Sequence, residues 1–208
     1  MNESNPTVFI VDDDASVRKS LERLIKSVGF NAETFTSAEE FLSRKPYGGP
    51  SCLILDVCMP GLSGIDLHKK LTREEIPIPI IFITGHGDIP MSVKAIKNGA
   101  VDFLPKPFDK KELISAINQA IDRDVHTRKL LIEKEEIQHR LNTLTPREFQ
   151  VLRWVITGML NKQIAYELGV TEKTIKVHRG RVMQKMQIDS VAELVRLAQK
   201  VGIAPPNK

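Results

Sequence analysis

Short apolar segments alternate with longer amphipathic segments through the first half of the chain, and this pattern predicts strands that alternate with helices. Four of the five strand-length segments are almost entirely apolar, as expected of parallel strands covered by helices on both faces. The predicted strands are Thr7–Val11, Asn31–Phe35, Ser51–Asp56, Pro79–Thr84 and Val101–Pro105. Residues 1–122 are therefore predicted to form an α/β domain with a doubly wound, five-stranded parallel sheet.

The segments between the strands have helical periodicity and recognisable ends. The first predicted helix ends at Gly29 and has one apolar face, formed by Val17, Leu21, Leu24, Ile25 and Val28. The helices that follow begin at polar capping residues or at proline, namely Ser37, Ser63, Pro90 and Asp109.

Residues 123–142 contain neither proline nor glycine and are predicted to form a helical linker. Leu130, Ile137 and Leu144 recur at intervals of seven residues. The linker is therefore either a weak coiled-coil seam or a solvated connector helix.

Residues 143–208 are predicted to form an all-α domain of four helices. Thr145 and Glu148 have the spacing of a capping box at the first helix. The later three helices are predicted over about Asn161–Leu168, Glu172–Met186 and Ser190–Val201. Gly169 separates the second helix from the third, so these two helices have the layout of a helix-turn-helix.

The net charge of +4 is unevenly distributed along the chain. Residues 1–122 carry −3, residues 123–142 carry +1 and residues 143–208 carry +6. A mildly acidic module joined to a basic one indicates two different partners, of which the partner of the basic module is a polyanion.

The composition also excludes several classes of protein. With 41% hydrophobic and 27% charged residues, the chain is not intrinsically disordered. Cys52 and Cys58 are too few for a disulfide framework or a four-ligand zinc site. No apolar run reaches the roughly 20 residues that cross a bilayer, and the N-terminus lacks the layout of a secretory signal. We therefore expect a protein of the reducing cytoplasm that does not bind membranes.

Polar residues gather at the carboxyl ends of the predicted strands. They are Asp12, Asp13 and Asp14 after the first strand, Asp56 at the end of the third, Thr84 at the end of the fourth and Lys106 after the fifth. These ends meet at one edge of such a sheet. Clustered carboxylates repel one another, and their oxygen atoms favour Mg²⁺ as the neutralising cation. Because the chain has no glycine-rich phosphate loop, an aspartate that becomes an acyl phosphate fits better than a nucleotide site.

Other polar residues have structural interpretations. Asp14 is expected to cap the first helix rather than bind a metal, and Cys52 is expected to lie in the core. His86 is expected in an exposed loop. The surface is the expected position of His68, His126 and His139.

The third helix of the tail carries the residues that favour DNA as the polyanion. One stripe of this helix consists of Lys173, Lys176, Val177, Gly180 and Gln184, and it is flanked by Arg179, Arg181 and Lys185. Lysine can donate to guanine, valine can contact the thymine methyl group, and arginine suits phosphates. Taken alone, such a face could also be solvated surface, but its place in a basic helix-turn-helix favours DNA binding.

The first half resembles the receiver domain of two-component response regulators, which has a flavodoxin-like fold. The resemblance covers about residues 5–122 and rests on Asp12–Asp13, LILDVCMPGLSG around Asp56, ITGHGD from Ile83 and DFLPKPF from Asp102. It implies that Asp56 accepts a phosphoryl group and that Asp13 and Asp56 bind Mg²⁺ directly. Asp12 would act through a water molecule, and Cys58 would contribute only its backbone carbonyl group.

The same resemblance implies roles for residues of the fourth and fifth strands. Thr84 and Lys106 would contact the phosphoryl oxygens, and the bond between Lys106 and Pro107 would be cis. Phe103 would be the aromatic residue that moves inward on activation, with simple core packing as its alternative.

The tail resembles the LuxR-type, or FixJ/NarL-type, DNA-binding domain over nearly all of residues 143–203. This resemblance implies that Lys176 and Val177 contact bases. It implies contacts with the DNA backbone for Thr171, Lys173, Arg179 and Lys185. Gly180 stands where the family usually has a larger side chain, which puts base readout at this position in doubt. Either the backbone approaches DNA closely there or the glycine is neutral drift.

Together these observations predict a transcriptional regulator rather than an enzyme. A histidine kinase would phosphorylate Asp56, and phosphorylation would promote a homodimer that binds two half-sites on double-stranded DNA. The alternatives are a DNA-binding regulator that acts without phosphorylation and a metal-dependent phosphohydrolase of the aspartyl-phosphate type.

Overall fold

The computed structural model describes residues 5–85, 96 and 99–206. The chain divides into two compact units, Met1–Arg128 and Lys129–Lys208. The strands of the first unit are β1 (Thr7–Val11), β2 (Asn31–Phe35), β3 (Ser51–Asp56), β4 (Ile80–Thr84) and β5 (Asp102–Pro105). Its helices include α1 (Ala15–Ser27), α2 (Ala38–Ser43) and α3 (Gly64–Arg73), and α4 (Lys110–Asn142) begins in this unit.

The five strands form one parallel sheet in the order β2-β1-β3-β4-β5, which confirms the predicted architecture. Successive side chains of the central strands point to opposite faces of the sheet, so each face has its own core. The first core includes Phe9, Leu53 and Phe82 with Phe41 of α2 and Leu67 of α3. The second core includes Ile10, Ile54 and Ile81 with Leu21 and Ile25 of α1 and Leu113 and Ile117 of α4. The continuous apolar runs of the sequence reflect these two covered faces.

Side-chain caps define the helix starts, as the sequence predicts. Asp14 accepts hydrogen bonds from the backbone N–H groups of Ser16 and Val17 at the start of α1, which confirms its role as a cap. Ser37 and Ser63 cap α2 and α3 in the same way. At the other end of α1, the predicted buried face stops short of Val28, which is 39% exposed because it follows the last helical turn.

Several sequence predictions concern individual positions. Cys52 is buried in the core, as expected. His68 was predicted at the surface and this was wrong: only 9% of it is exposed, and its ring lies 5.6 Å from that of Phe82. The sequence pattern of an amphipathic helix shows which residues are polar but not how deeply the helix is packed, so it does not predict the burial of His68. The helix expected to begin at Pro90 and the loop residue His86 lie outside the described residues.

The second unit contains the helices predicted for the tail. These are α5 (Pro146–Val155), α6 (Asn161–Leu168), α7 (Glu172–Met186) and α8 (Val191–Lys200). Thr145 and Glu148 form the predicted capping box of α5, and Gly169 ends α6 in the left-handed conformation that the turn requires. Their buried residues form one core, in which Ile137 of α4 takes part while Leu130 is 51% exposed. Within the described residues, no helix is long and apolar enough to cross a membrane.

A buried carboxylate ties the first part of α4 to the sheet. Asp124 is fully buried and accepts hydrogen bonds from the backbone N–H of Ser51 at 2.8 Å and from Nε of Arg128 at 2.5 Å. Arg128 also donates to the carbonyl oxygen of Gly48. These residues belong to the segment that the sequence analysis assigned to the linker, but their contacts are with the start of β3.

Replacing Asp124 with alanine is expected to weaken the first unit. The change leaves the N–H of Ser51 without its buried acceptor, which costs about 1–3 kcal/mol. The free energy of opening, measured by hydrogen exchange of β3 peptides in the full chain, should fall by that amount. The exposed neighbour Asp122 provides the control, because Asp122→Ala should leave β3 unchanged. Equal protection in the two variants would contradict this role for Asp124.

Candidate functional site

Three carboxylates lie together where β1 and β3 end. Asp12 and Asp13 follow β1, and Asp56 is the last residue of β3, which is the neighbouring strand. One carboxylate oxygen from each residue lies within 4.8 Å of those from the other two. Asp12 and Asp56 are buried, whereas Asp13 is exposed. The sheet therefore brings together the acidic residues that the sequence analysis selected.

Lys106 reaches this cluster from the segment that follows β5. Its Nζ atom lies 2.7 Å from Oδ2 of Asp12 and 3.0 Å from Oδ1 of Asp56. The backbone N–H of Lys106 donates to the carbonyl oxygen of Thr84, and the bond to Pro107 is cis, as predicted. The ammonium group thus compensates part of the negative charge of two buried carboxylates.

The electrostatic surroundings raise the pKa values of both Asp56 and Lys106. Burial raises the pKa of Asp56, the charges of Asp12 and Asp13 raise it further, and Lys106 only partly opposes this rise. Burial by itself would lower the pKa of Lys106, but its hydrogen bonds to Asp12 and Asp56 and their charges outweigh that effect, so the pKa is raised. Lys106 is therefore held in its charged form beside Asp56.

Asp12 is fixed in place by the chain around it. Its Oδ1 atom accepts a hydrogen bond of 2.8 Å from the backbone N–H of Asp14, and its Oδ2 atom accepts one from Lys106. The guanidinium of Arg18 donates to the backbone carbonyl of Asp12 at 2.6 Å. Both carboxylate oxygens of Asp12 therefore have partners within the protein.

Gly64, at the start of α3, is a residue that the sequence analysis did not single out. A Cβ atom at this position would lie 2.1 Å from the backbone carbonyl oxygen of Asp56. The N–H of Gly64 donates to the carbonyl of Val57, so α3 begins directly against the backbone of Asp56. The sequence signal for it is the glycine that follows the capping residue Ser63 in the segment around Asp56.

The remaining predicted residues of this site lie close to the ends of the strands. Thr84 is buried at the end of β4, and the side chain of Cys58 is exposed two residues after Asp56. Phe103 on β5 is half-buried, with its ring 6.3 Å from that of Phe82. Phe103 therefore packs on the edge of one core while it also faces solvent.

In the second unit, α7 exposes part of the basic face predicted from the sequence. Lys173, Lys176 and Arg181 are exposed, and Val177 is 47% exposed although it is apolar. A Cβ atom at Gly180 would meet nothing within 4 Å, so nothing in the described residues explains the glycine. These side chains are available to an external partner.

Three other residues assigned to DNA make contacts within the protein. Thr171 caps α7 by accepting a hydrogen bond from the N–H of Thr174. Arg179 donates to Oδ1 of Asn161 at 3.0 Å. Lys185 bonds to the carboxylate of a buried glutamate, Glu148, at 2.6 Å. The cap at Thr171 follows from the local sequence, but the bonds of Arg179 and Lys185 could not be predicted, because their partners lie 18 and 37 residues away in the chain.

Comparison with known proteins identifies both units. Residues 8–118 match the family model described as the response regulator receiver domain, and residues 142–198 match that of the bacterial regulatory proteins of the luxR family. The first match covers more than half of the chain, so the chain belongs to the response regulators. More particularly, it is a response regulator of the FixJ/NarL type, a transcriptional regulator of two-component systems in which a receiver is joined to a LuxR-type DNA-binding domain.

Full-length relatives support this assignment over both units. The chain is 49% identical to nodulation protein W of Bradyrhizobium diazoefficiens over 95% of this chain and 87% of that protein. It is 44% identical to the response regulator TmoT of Ectopseudomonas mendocina over 97% and 91% of the two chains. A solved structure of the response regulator StyR has a TM-score of 0.84 at 48% identity, covering 95% of this chain and all of the other.

Replacing Gly64 with alanine is expected to disturb the segment around Asp56. The added methyl group would collide with the carbonyl oxygen of Asp56, and overpacking of this kind costs about 1–3 kcal/mol. Hydrogen exchange of peptides that span residues 51–63 should become faster. Gly48→Ala is a matched control, because its Cβ would meet nothing within 4 Å. If Gly64→Ala exchanged like the wild-type chain, the contact would have no energetic importance.

Proposed function

We propose that Asp56 accepts a phosphoryl group from a sensor histidine kinase and that this modification controls DNA binding by residues 143–208. The observation that carries the proposal is the meeting of Asp12, Asp13 and Asp56 with Lys106 at the ends of three strands. The proposed domains are a receiver over residues 1–122, a linker over residues 123–142 and the DNA-binding domain after it.

The residues at this edge of the sheet suit a bound Mg²⁺ ion. Oxygen atoms of three carboxylates converge within 4.8 Å, and hard oxygen donors are the ligands that Mg²⁺ prefers. Asp13 and Asp56 would bind the ion directly, Asp12 would act through a water molecule, and Cys58 would add its backbone carbonyl. When bound, Mg²⁺ supplies positive charge that lowers the repulsion between the carboxylates and the incoming phosphoryl oxygens.

The protein's own residues account for the transfer of the phosphoryl group. A carboxylate oxygen of Asp56 attacks the phosphorus atom of a phosphohistidine, a new P–O bond forms and the P–N bond to the imidazole breaks. Lys106, held charged beside Asp56, stabilises the negative charge on the phosphoryl oxygens. Thr84 at the end of β4 would donate its hydroxyl group to one of these oxygens.

Phosphorylation of Asp56 would change the rest of the receiver through residues of β4 and β5. A phosphoryl group that draws Thr84 towards Asp56 changes the space available to Phe103, which packs beside Phe82. A different packing of Phe103 would favour a surface that pairs two copies of the chain. The result is a homodimer that forms on phosphorylation.

The exposed face of α7 supports double-stranded DNA as the target. Lys176 and Val177 would read bases in the major groove. Contacts with phosphates would come from Thr171, Lys173, Arg179 and Arg181. A dimer presents two such helices and therefore fits two half-sites about one helical turn apart. Bacterial promoter DNA lies in the cytoplasm, which is the proposed location of the protein.

Asp56→Asn is expected to abolish labelling by a small phosphodonor such as acetyl phosphate, because the amide is not a nucleophile for phosphorus. Acid-labile incorporation of phosphate is the measurement. The control Asp122→Asn, which lies outside the carboxylate cluster, should label like the wild-type chain. Undiminished labelling of Asp56→Asn would refute the assignment of the acceptor.

The same assay distinguishes a regulator from an enzyme. A response regulator that is not an enzyme incorporates at most one phosphoryl group per chain and loses it slowly. A phosphohydrolase would instead release phosphate repeatedly from an added phosphomonoester. DNA footprints that are insensitive both to the phosphodonor and to Asp56→Asn would favour a regulator that acts without phosphorylation.

Lys176→Ala is expected to weaken binding to a selected DNA sequence more than binding to mixed-sequence DNA. Loss of a good base contact costs about 1–3 kcal/mol of discrimination, whereas a phosphate contact affects all sequences alike. Electrophoretic mobility shifts on both duplexes measure the difference. Lys173→Ala is the comparison variant, since Lys173 is exposed on the same helix and is assigned to phosphate. An equal loss on both duplexes would make Lys176 a phosphate contact.

A further inference from the structure

Lys185, in the last turn of α7, differs in its surroundings from the exposed basic residues of that helix, Lys173, Lys176 and Arg181. Its Nζ atom lies 2.6 Å from Oε2 of Glu148 and 2.9 Å from the carbonyl oxygen of Thr143. The side chain of Lys185 is 33% exposed and that of Glu148 only 3%. The ammonium group is therefore turned towards the protein, whereas Lys173 and Lys176 extend into solvent.

Glu148 needs this partner because it is a buried carboxylate that stays charged. Its Oε2 atom also accepts a hydrogen bond from the backbone N–H of Thr145, which completes the capping box of α5. The hydrogen bond from Lys185 is the main cause that lowers the pKa of Glu148 to about 2. If Lys185 moved away to a DNA phosphate, a buried negative charge would lose its compensating cation.

A second hydrogen bond, from a residue of α4, also holds the C-terminal end of α7. Nη1 of Arg140, near the end of α4, donates to the carbonyl oxygen of Met186 at 3.3 Å. The side chain of Met186 is buried in one core with Ile137 and Leu141 of α4. The C-terminal turn of α7, the proposed recognition helix, is thus held by two sets of bonds. Arg140 donates to Met186, and Lys185 donates to Glu148 and Thr143.

We propose that Lys185 is a positioning residue that sets the direction of the recognition helix and that it does not contact DNA. This inference rests on the proposed function, because it concerns how α7 is presented to DNA. It replaces the phosphate contact that sequence resemblance implied for this lysine and leaves that role to exposed residues such as Lys173 and Arg181.

The salt dependence of DNA binding by the full chain tests the assignment. A residue that neutralises a phosphate contributes about one unit to the slope of log K against log salt concentration. Lys173→Gln should therefore lower the slope on a mixed-sequence duplex by about one unit, while Lys185→Gln should leave it unchanged. A slope reduced by Lys185→Gln as much as by Lys173→Gln would overturn the proposal.

Glu148→Gln distinguishes a positioning role of Lys185 from a phosphate contact, because the two roles predict opposite changes in DNA affinity. Glutamine can still accept the N–H of Thr145, so the capping box is kept while the ion pair is lost. If Lys185 positions α7, affinity for a duplex selected from random DNA should fall about tenfold, comparable with the loss of one base contact. If Lys185 were a phosphate contact, release from Glu148 would strengthen binding, and that result would overturn the proposal.

Two further measurements keep the interpretation specific. Lys185→Arg, which keeps a positive charge beside Glu148, should bind the selected duplex with an affinity close to that of the wild-type chain, whereas Lys185→Gln should bind it more weakly. Fluorescence of Trp154, which lies on α5, shows whether each variant is folded at the temperature of the assay. A wild-type chain that selects no sequence would contradict the proposed function instead, while the salt slope on mixed-sequence DNA would still decide the role of Lys185.

Discussion

The interaction on which the receiver site depends is the placement of one ammonium group between two buried carboxylates. Asp12 and Asp56 end adjacent strands, whereas Lys106 follows β5, which is separated from β3 by β4. Neighbouring strands lie about 4.8 Å apart, so the backbones of β5 and β3 are roughly 10 Å apart, and the lysine and aspartate side chains bridge this distance together. Lysine contributes a long side chain that ends in a compact charge. Strand order and side-chain length together explain why the site has this composition.

The backbone of Asp56 is constrained as well as its side chain. Helix α3 starts so close to the carbonyl of Asp56 that only glycine fits at position 64, and the capping bond of Ser63 fixes where that helix begins. The start of α3 therefore holds the backbone of Asp56 in one position. In the proposed phosphoryl transfer, preorganisation of this kind would favour in-line attack on phosphorus.

Sequence patterns predicted the strands to within one residue. Strands β1, β3 and β4 are buried along their whole length and appear as continuous apolar runs, whereas β2 is recognised by its place between two helices. Sequence patterns predicted the caps because capping is a local interaction. They did not predict the burial of His68 or the partners of Asp124 and Lys185, since each depends on a surface formed by distant parts of the chain. For a charged residue on a helix, the sequence supplies the charge, and only the fold reveals whether it faces solvent or a buried partner such as Glu148.

Charged side chains bind both ends of strand β3. At its carboxyl end Asp56 is bound by Lys106, and at its start the N–H of Ser51 is bound by Asp124 of α4. A shift of α4 near residue 124 would therefore act on the first residue of a six-residue strand that ends at Asp56. The helix that continues beyond the receiver is in this way coupled to the strand that carries the proposed phosphorylation site.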